Sequence, residues 1–552
     1  MMKLEKLIQP LQKYNLRNYT NIEITNITAD SRQVMPGSLF VAYKGIYVDG
    51  HTFIPQALKG GAVAIMTEED SNITLEIPKN ITLIKTPNGR EALGNLMSAW
   101  YDYPSKKLTL ISVTGTDGKT STTNLIYTIL KKAGHKVGMI TSVNVVIGDD
   151  VSSTGLHTTT PDAPDMQRYL AQMVEAQTEF CILETTSHGL AQHRVAGCDF
   201  DIGVMTNITH EHLDTHGSLQ EYRRAKARLF DMTKKLAILN GDDRSYGFLQ
   251  KRIDGRIPFI AYGIQNNQPS PCTPQSLLQA DNIILRPDMT CFDIIIDNQT
   301  YTVESELIGK FNVSNMLAAL ATTVLGLDIK PQLALRALRQ FKGISGRMER
   351  IDMGQPFTAI VDFAHTPNSL RQVLETFHAI TNKRIIAILG SAGLRDVDKR
   401  TAMACISVEF ADITIITAED PRTENLDEIL DVMANAIIEK GVEMGDPSPS
   451  NMGDPTPCPS PSKERGWGGV KSHVFYRVPD RGRAILLGTQ LAQPGDIVIT
   501  FGKGHEQSMC FDTTEYAWDD RQAMRSALQG KPLLTLPTAE FGIRSYEKYN
   551  HV

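Results

Sequence analysis

Short apolar runs, many of them β-branched, recur along the chain, and each gives way to a glycine-rich or polar cluster. A continuous apolar run between turn signals predicts a strand buried on both faces, and alternation of such runs with helices predicts parallel α/β sheets. In residues 1–105 the run 39–42 is predicted as a strand, 54–59 as a helix and 62–66 as a second strand. Residues 106–340 carry runs at 108–113, 180–184, 202–206 and 236–240, with one helix from 119 to about 132 and another holding Tyr222, Lys226, Leu229 and Phe230. Residues 341–552 carry runs at 358–362, 385–389, 413–417 and 497–501, with a further strand near Val474. The pattern predicts three α/β domains with these boundaries: a small N-terminal unit, a central doubly wound sheet and a second parallel α/β domain. A length of 552 residues agrees with that number. The segment 445–469, rich in proline, serine and glycine, cannot bury a face and is predicted as a disordered surface insertion.

The run 108–113 meets the turn Gly115-Thr116-Asp117-Gly118, and Lys119-Thr120-Ser121 then opens a helix. Strand, glycine loop and helix start make a phosphate cradle, in which backbone N–H groups approach the oxygens and the lysine and hydroxyl serve phosphate and Mg²⁺. The usual P-loop has four residues between its first glycine and Gly-Lys; here there are two, a variant loop. Other polar clusters (184–194, 207–217, 363–367, 390–396, 418–422 and 502–506) follow predicted strands, where open α/β sheets bind ligands. With ATP in the cradle, Thr120 or Ser121 offers a hydroxyl and Glu184 a carboxylate to Mg²⁺. His210, Glu211, His212, Asp214 and His216 admit zinc, a second Mg²⁺ or a plain polar loop. By residue type alone Lys226 is a solvated helix-face residue, and Asp30-Ser31-Arg32 a surface turn.

Composition narrows the partners. Net charge is −6 with no basic stripe, which disfavours nucleic acid. Seven cysteines without a Cys-x-x-Cys pair fit reduced thiols, and the absence of a signal core or an apolar run of spanning length predicts a cytoplasmic protein without membrane insertion.

Taken in order, Asp30-Ser-Arg32, Gly115-Thr-Asp-Gly-Lys-Thr120, Thr158-Thr-Thr-Pro161, Ser187-His-Gly-Leu190, His212-Leu-Asp214, Lys226, Gly309-Lys-Phe-Asn312, Asp362-Phe-Ala-His365, Asp420-Pro-Arg422 and Gly502-Lys-Gly-His-Glu506 resemble the Mur ligase family of peptidoglycan synthesis. The resemblance spans the chain outside 445–469. It implies a UDP-sugar-binding N-terminal domain, a central ATPase domain and a Rossmann-like C-terminal domain that binds the incoming amino acid, in a monomer. It also implies an ATP-dependent ligase that adds the third amino acid to UDP-N-acetylmuramoyl-L-alanyl-D-glutamate through an acyl phosphate. Residue by residue, the resemblance implies that Lys119 meets the β- and γ-phosphates within a loop of Gly115, Thr116, Asp117, Gly118, Thr120 and Ser121. Thr120 and Glu184 hold one Mg²⁺, and Glu184, His212 and a CO₂-carbamylated Lys226 a second. Asn312, Asn315, Arg347 and Asp362 complete the ATP site. Ser31, Ile46, Tyr47, Val48, Thr159, Thr160, Thr186, Gln192 and Arg194 match the UDP-muramoyl-dipeptide contacts.

The amino-acid pocket maps by the same resemblance to Arg395, Glu419, Asp420, Pro421, Arg422, Gly502 and Glu506. An arginine fork for a distal carboxylate and a glutamate for an ammonium suit meso-2,6-diaminopimelate. The family's Asp-Asn-Pro-Arg reads Glu419-Asp420-Pro421-Arg422 here, Ala392-Gly393-Leu394 replaces its Gly-Gly-Asp, and Gln507-Ser-Met509 follows Glu506. The added acid leaves lysine or ornithine as the alternative third residue. A folylpolyglutamate-synthase-like ligase, a muropeptide-recycling ligase and a non-catalytic muropeptide-binding scaffold are the rival functions.

Overall fold

The computed structural model describes residues 1–45, 48–70, 77–153, 159–209, 216–264, 276–394, 397–446 and 473–535. Three large sheets follow one another along the chain. In the first, Asn26–Thr28, Ser38–Val41, Ala62–Glu68 and Thr82–Thr86 run parallel, and Asn15–Arg17 pairs antiparallel at the edge. The predicted helix is found as Ile54–Lys59.

The central sheet has 11 strands. From Val137–Ile140 through Phe180–Glu184, Thr109–Thr114, Phe200–Met205, Thr233–Asn240 and Phe259–Gly263 to Ser276–Leu285 every pairing is parallel. The strand leading to the phosphate loop shows why its run is apolar throughout. Ile111 and Val113 point to the core under the helices Lys119–Lys132 and Lys310–Leu320, while Leu110 points to the opposite core with Met166, Tyr222 and Phe230. The parallel core expected from the sequence is extended at both edges by antiparallel strands that the sequence reading does not include. Asn144–Ile147 and Asp150–Ser153 form an antiparallel hairpin at one, and Ser276–Leu285, Thr290–Ile296 and Gln299–Ser305 an antiparallel meander at the other. The physical signal for the second is local: Asp297 and Asn298, both at positive φ, make a two-residue turn whose twist matches that of paired strands.

The third sheet has seven strands, parallel except for Glu349–Ile351 at one edge. Thr358–Asp362, Ile385–Leu389 and Ile497–Phe501 stand where the apolar runs predicted. Gly445, assigned by composition to the insertion, donates its N–H to Phe475 O beside the strand Glu443–Met444, so that assignment is corrected at its start. The rest of the insertion, from 447, lies outside the described residues. Among the described residues no helix is long and apolar enough to cross a membrane.

A buried ion pair fixes the carboxyl ends of this third sheet. Arg481 is fully buried; Nε and Nη2 donate to the two Asp520 oxygens at 2.7 and 2.6 Å, Nη1 to Ala418 O at 3.1 Å and Nη2 to Phe501 O at 2.7 Å. The guanidinium thereby ties together the starts of the loops carrying Glu419–Arg422 and Gly502–Glu506. Arg481→Met leaves Asp520 as an uncompensated buried carboxylate, and urea unfolding is expected to show a loss of about 3–5 kcal/mol; a loss below about 1 kcal/mol would contradict the assignment.

Candidate active site

The phosphate loop is held from behind by the neighbouring strand. Thr116 N–H donates to Asn207 O (2.8 Å), Asp117 N–H to Asn207 Oδ1 (2.9 Å) and Thr206 Oγ1 to Asp117 O (2.6 Å). Gly118 caps the helix Lys119–Lys132 at φ +79°, and a Cβ there would run into Asn315 Oδ1. Lys119 Nζ lies over its own loop, donating to Gly115 O (3.1 Å) and Thr116 O (2.8 Å). The strand, glycine turn and helix start expected from the motif are present, with the lysine tethered to two loop carbonyls.

Lys226 is not the solvated residue its type suggests. It is 1% exposed, its Nζ donates to Gly115 O at 2.5 Å, and it stands 4.6 Å from the Tyr222 ring centroid. Tyr222 OH in turn pairs with Thr116 Oγ1 at 3.1 Å. The sequence signal was available: Lys226 shares a helical face with Tyr222 four residues before and Phe230 four after, both buried.

Beside the helix start, Glu184 is 2% exposed and accepts from Thr120 Oγ1 (3.0 Å), Ser142 N–H (3.2 Å) and Ser142 Oγ (3.3 Å). A buried carboxylate grouped with two hydroxyls is an all-oxygen donor set, the kind that fits Mg²⁺. Among the described residues no group of three or more His, Cys, Asp or Glu is placed to hold a metal ion. Of the histidine cluster, His216 bonds Ser187 Oγ through Nε2 (3.1 Å), whereas His210, Glu211, His212 and Asp214 lie outside the described residues.

Two other elements close over the loop. Asn312 and Asn315 are buried in the first turns of the helix Lys310–Leu320, where Asn315 Nδ2 donates to Asn312 Oδ1 (3.2 Å) and Thr122 Oγ1 to Asn315 Oδ1 (3.4 Å). From the turn before the edge strand Glu349–Ile351, Arg347 Nη2 donates to Thr120 Oγ1 (3.2 Å) while its guanidinium stacks 4.2 Å from the Phe363 ring centroid. Burial pulls the Arg347 guanidinium below its usual range, against the attraction of Glu184, Asp362 and Asp117. Burial pushes the Asp362 carboxyl up, opposed by N–H donation from Ala364 (2.8 Å) and Met348 (2.7 Å). Asn368, at the start of the helix Pro367–Ile380, donates Nδ2 to Asp117 Oδ2 at 2.8 Å.

These groups surround one cavity of ≈ 420 Å³. It is lined by the loop 116–121 and Glu184, by the apolar Phe311, Ile344, Met348 and Phe363, and by Thr159, Thr160, Thr186, Gln192 and Arg194. Thr160 is committed to the scaffold: its Oγ1 accepts Thr186 N–H (3.0 Å), and its carbonyl accepts Arg194 Nη1 (2.9 Å). Ser31 and Val48 do not line this cavity. Ser31 Oγ donates to Gln56 Oε1 at 2.8 Å and Val48 is 56% exposed in the first lobe, while Ile46 and Tyr47 lie outside the described residues.

The remaining cluster sits at the carboxyl ends of the third sheet. Fully buried Lys503 bonds Asp420 Oδ1 (3.0 Å) and Glu506 Oε2 (2.5 Å), and these two carboxylates push its ammonium up despite burial. The ammonium that Glu506 meets is thus the protein's own. Glu419, buried beside Gly502, has no hydrogen-bond partner at Oε2. Arg422 is half-buried at φ +54°, its N–H on Cys510 O (3.1 Å). Arg395 lies outside the described residues.

Three family profiles match in chain order: the Mur ligase family catalytic domain at residues 23–101, the Mur ligase middle domain at 113–323 and the Mur ligase glutamate ligase domain at 346–504. The UDP-N-acetylmuramoyl-L-alanyl-D-glutamate–2,6-diaminopimelate ligase of Geobacillus thermodenitrificans is 36% identical over 96% of this chain and 99% of its own. The chain belongs to the Mur ligase family.

A UDP-N-acetylmuramyl-tripeptide synthetase of a Roseiflexus species is 35% identical over 96% of this chain and 99% of its own. A solved UDP-N-acetylmuramoyl-L-alanyl-D-glutamate–2,6-diaminopimelate ligase superposes with a TM-score of 0.63 at 26% identity, covering 96% of this chain and 99% of that one. In this Mur ligase several residues around the loop carried no sequence signal. Ser142 and Asn368 are polar residues of a loop and a helix start outside every cluster, and only the fold brings them to the cradle; Asn207 opens the cluster 207–217, but its part in holding the loop is seen only in the structure. Lys503 stands inside the motif Gly502-Lys-Gly-His-Glu506 with Glu506 three residues on, but its second carboxylate partner, Asp420, is brought to it by the fold.

Proposed function

We propose that this Mur ligase is a cytoplasmic, monomeric enzyme that joins meso-2,6-diaminopimelate to the D-glutamate γ-carboxylate of UDP-N-acetylmuramoyl-L-alanyl-D-glutamate, converting ATP to ADP and phosphate. The observation that carries the reading is the single cavity in which the phosphate loop, Arg347 and the Thr159–Arg194 wall meet. A γ-phosphoryl group at Lys119 and Thr120 would share this cavity with a carboxylate held by Thr159–Arg194, and the apolar lining residues suit an adenine ring. The carboxylate attacks the γ-phosphorus, ADP leaves, and the resulting acyl phosphate is attacked by the amine; phosphate departs from the tetrahedral intermediate. The work of the protein is positioning and charge neutralisation. Lys119 exchanges its two loop carbonyls for phosphate oxygens, and Arg347 adds a second cation from the third lobe. Mg²⁺, held by Thr120 and Glu184, supplies charge neutralisation at the phosphates when bound.

The lobes 1–105, 106–340 and 341–552 are proposed to hold the UDP-sugar through Ser31 and Ile46–Val48, the ATP, and the amino acid, respectively. Lys226 is proposed to carry a carbamate, which turns a buried amine beside the loop into an oxygen donor. With ¹³C-bicarbonate, a carbamate resonance present in the wild type and absent in Lys226→Arg supports it; its presence in both refutes it.

Within the third lobe Arg422 is proposed to grip the distal carboxylate of diaminopimelate through a bidentate pair. One observation favours a purely cationic side chain instead: Glu419 keeps a buried carboxylate oxygen without a hydrogen-bond partner. An amino-acid panel of diaminopimelate, lysine and ornithine, read by phosphate release with the UDP-muramoyl-dipeptide, tests both readings. Arg422→Ala is expected to lower kcat/KM for diaminopimelate by roughly 100-fold or more and for lysine by less than about threefold. Preference for lysine in the wild type, with no loss in the variant, would overturn the diaminopimelate assignment. No ATP turnover with any member of the panel would favour the scaffold reading.

A further inference from the structure

The tip of the phosphate loop carries a carboxylate where a triphosphate is to bind. Asp117 is half-buried, and its backbone is fixed by Asn207 and Thr206, so the side chain stays at the loop. A carboxylate a few Å from phosphate oxygens repels them unless a donor holds and orients its charge. That donor comes from the third lobe. Asn368 Nδ2 reaches Asp117 Oδ2 at 2.8 Å across 251 residues of sequence. The helix start that carries Asn368 is rigid without it, because Thr366 and Ser369 form the capping box. Asn368 is therefore not needed as a cap. Arg347 crosses the same gap to Thr120, and Asp117 is among the carboxylates acting on its charge.

We infer that Asn368 is a positioning residue: its carboxamide latches the third lobe to Asp117 and turns that carboxylate away from the nucleotide, so that lobe closure and nucleotide binding favour each other. The latch rests on the ATP-site reading proposed above but not on the identity of the amino acid. It predicts a coupling between the two side chains. Asn368→Asp puts two carboxylates against each other at the loop, weakening closure and phosphate binding together. In an Asp117→Asn background the same substitution merely exchanges the places of amide and carboxylate.

The test is calorimetric binding of a non-hydrolysable ATP analogue with Mg²⁺, together with KM for ATP, kcat and thermal midpoint. Asn368→Asp is expected to raise the analogue Kd and the KM for ATP roughly tenfold, and Asn368→Ala roughly threefold, with thermal midpoints within a few degrees of the wild type. In the Asp117→Asn background the Asn368→Asp effect should shrink to less than about twofold. A Kd unchanged in both single variants, or a factor that is the same in the two backgrounds, would overturn the latch. If the wild type binds the analogue but turns over no UDP-muramoyl-dipeptide, the ligase reading fails, and the binding cycle still decides on Asn368.

Discussion

Lys119→Ala is expected to abolish UDP-muramoyl-dipeptide-dependent ATP turnover, by roughly 10³-fold or more, while leaving the protein folded. The fold survives because Lys119 opens a helix, where alanine is the best former, and because its hydrogen bonds go to loop carbonyls that water can satisfy. The activity is expected to be lost because Nζ is the cation proposed to meet the transferring phosphoryl group from within the loop, a place that Arg347, arriving from the other lobe, does not occupy. A coupled assay for ADP, with far-ultraviolet circular dichroism as the folding control, reads both quantities. Activity within threefold of the wild type would remove the phosphate-loop role and the proposed mechanism with it.

Glu184→Gln is expected to have the second largest effect, a fall in kcat of roughly 100-fold to 1,000-fold. The substitution keeps shape but removes the charge that Thr120 Oγ1 and Ser142 Oγ hydrogen-bond, and one orientation of the amide sets its NH₂ against Ser142 N–H. It also removes the carboxylate that acts most strongly on the buried Arg347 guanidinium. The Mg²⁺ concentration giving half-maximal turnover should rise with the fall in kcat. A variant whose kcat falls while its Mg²⁺ dependence stays unchanged would place Glu184 outside the metal site, and an unaffected kcat would place it outside the chemistry.

Part of this was legible in the chain because it is contiguous. A strand buried on both faces must be apolar throughout, so 180–184, 358–362, 385–389 and 497–501 were readable to the residue. The phosphate loop was readable because strand, turn and helix start lie within a dozen or so positions and the glycine conformation is local. The antiparallel edges were not read, since Asp297-Asn298 lacks the glycine that usually marks such a turn. Residue type alone makes Lys226 a solvated lysine, but its helical face, shared with buried Tyr222 and Phe230, puts it inside, where the family resemblance also places it.

What the sequence determined by itself is therefore the apolar strands that lead into the polar clusters, the glycine turn and helix start after the strand 109–114, and the membership of those clusters, all fixed by short-range periodicity and backbone sterics. Only the tertiary structure decided which clusters meet. Strand order sets Glu184 beside Thr120, and Ser31 apart from the cavity, and docking of the third lobe delivers Arg347 and Asn368 to the loop. The same packing turns Asp420 inward onto Lys503. These outcomes depend on contacts between residues far apart in the chain, and a buried charge must find a partner that no local pattern encodes.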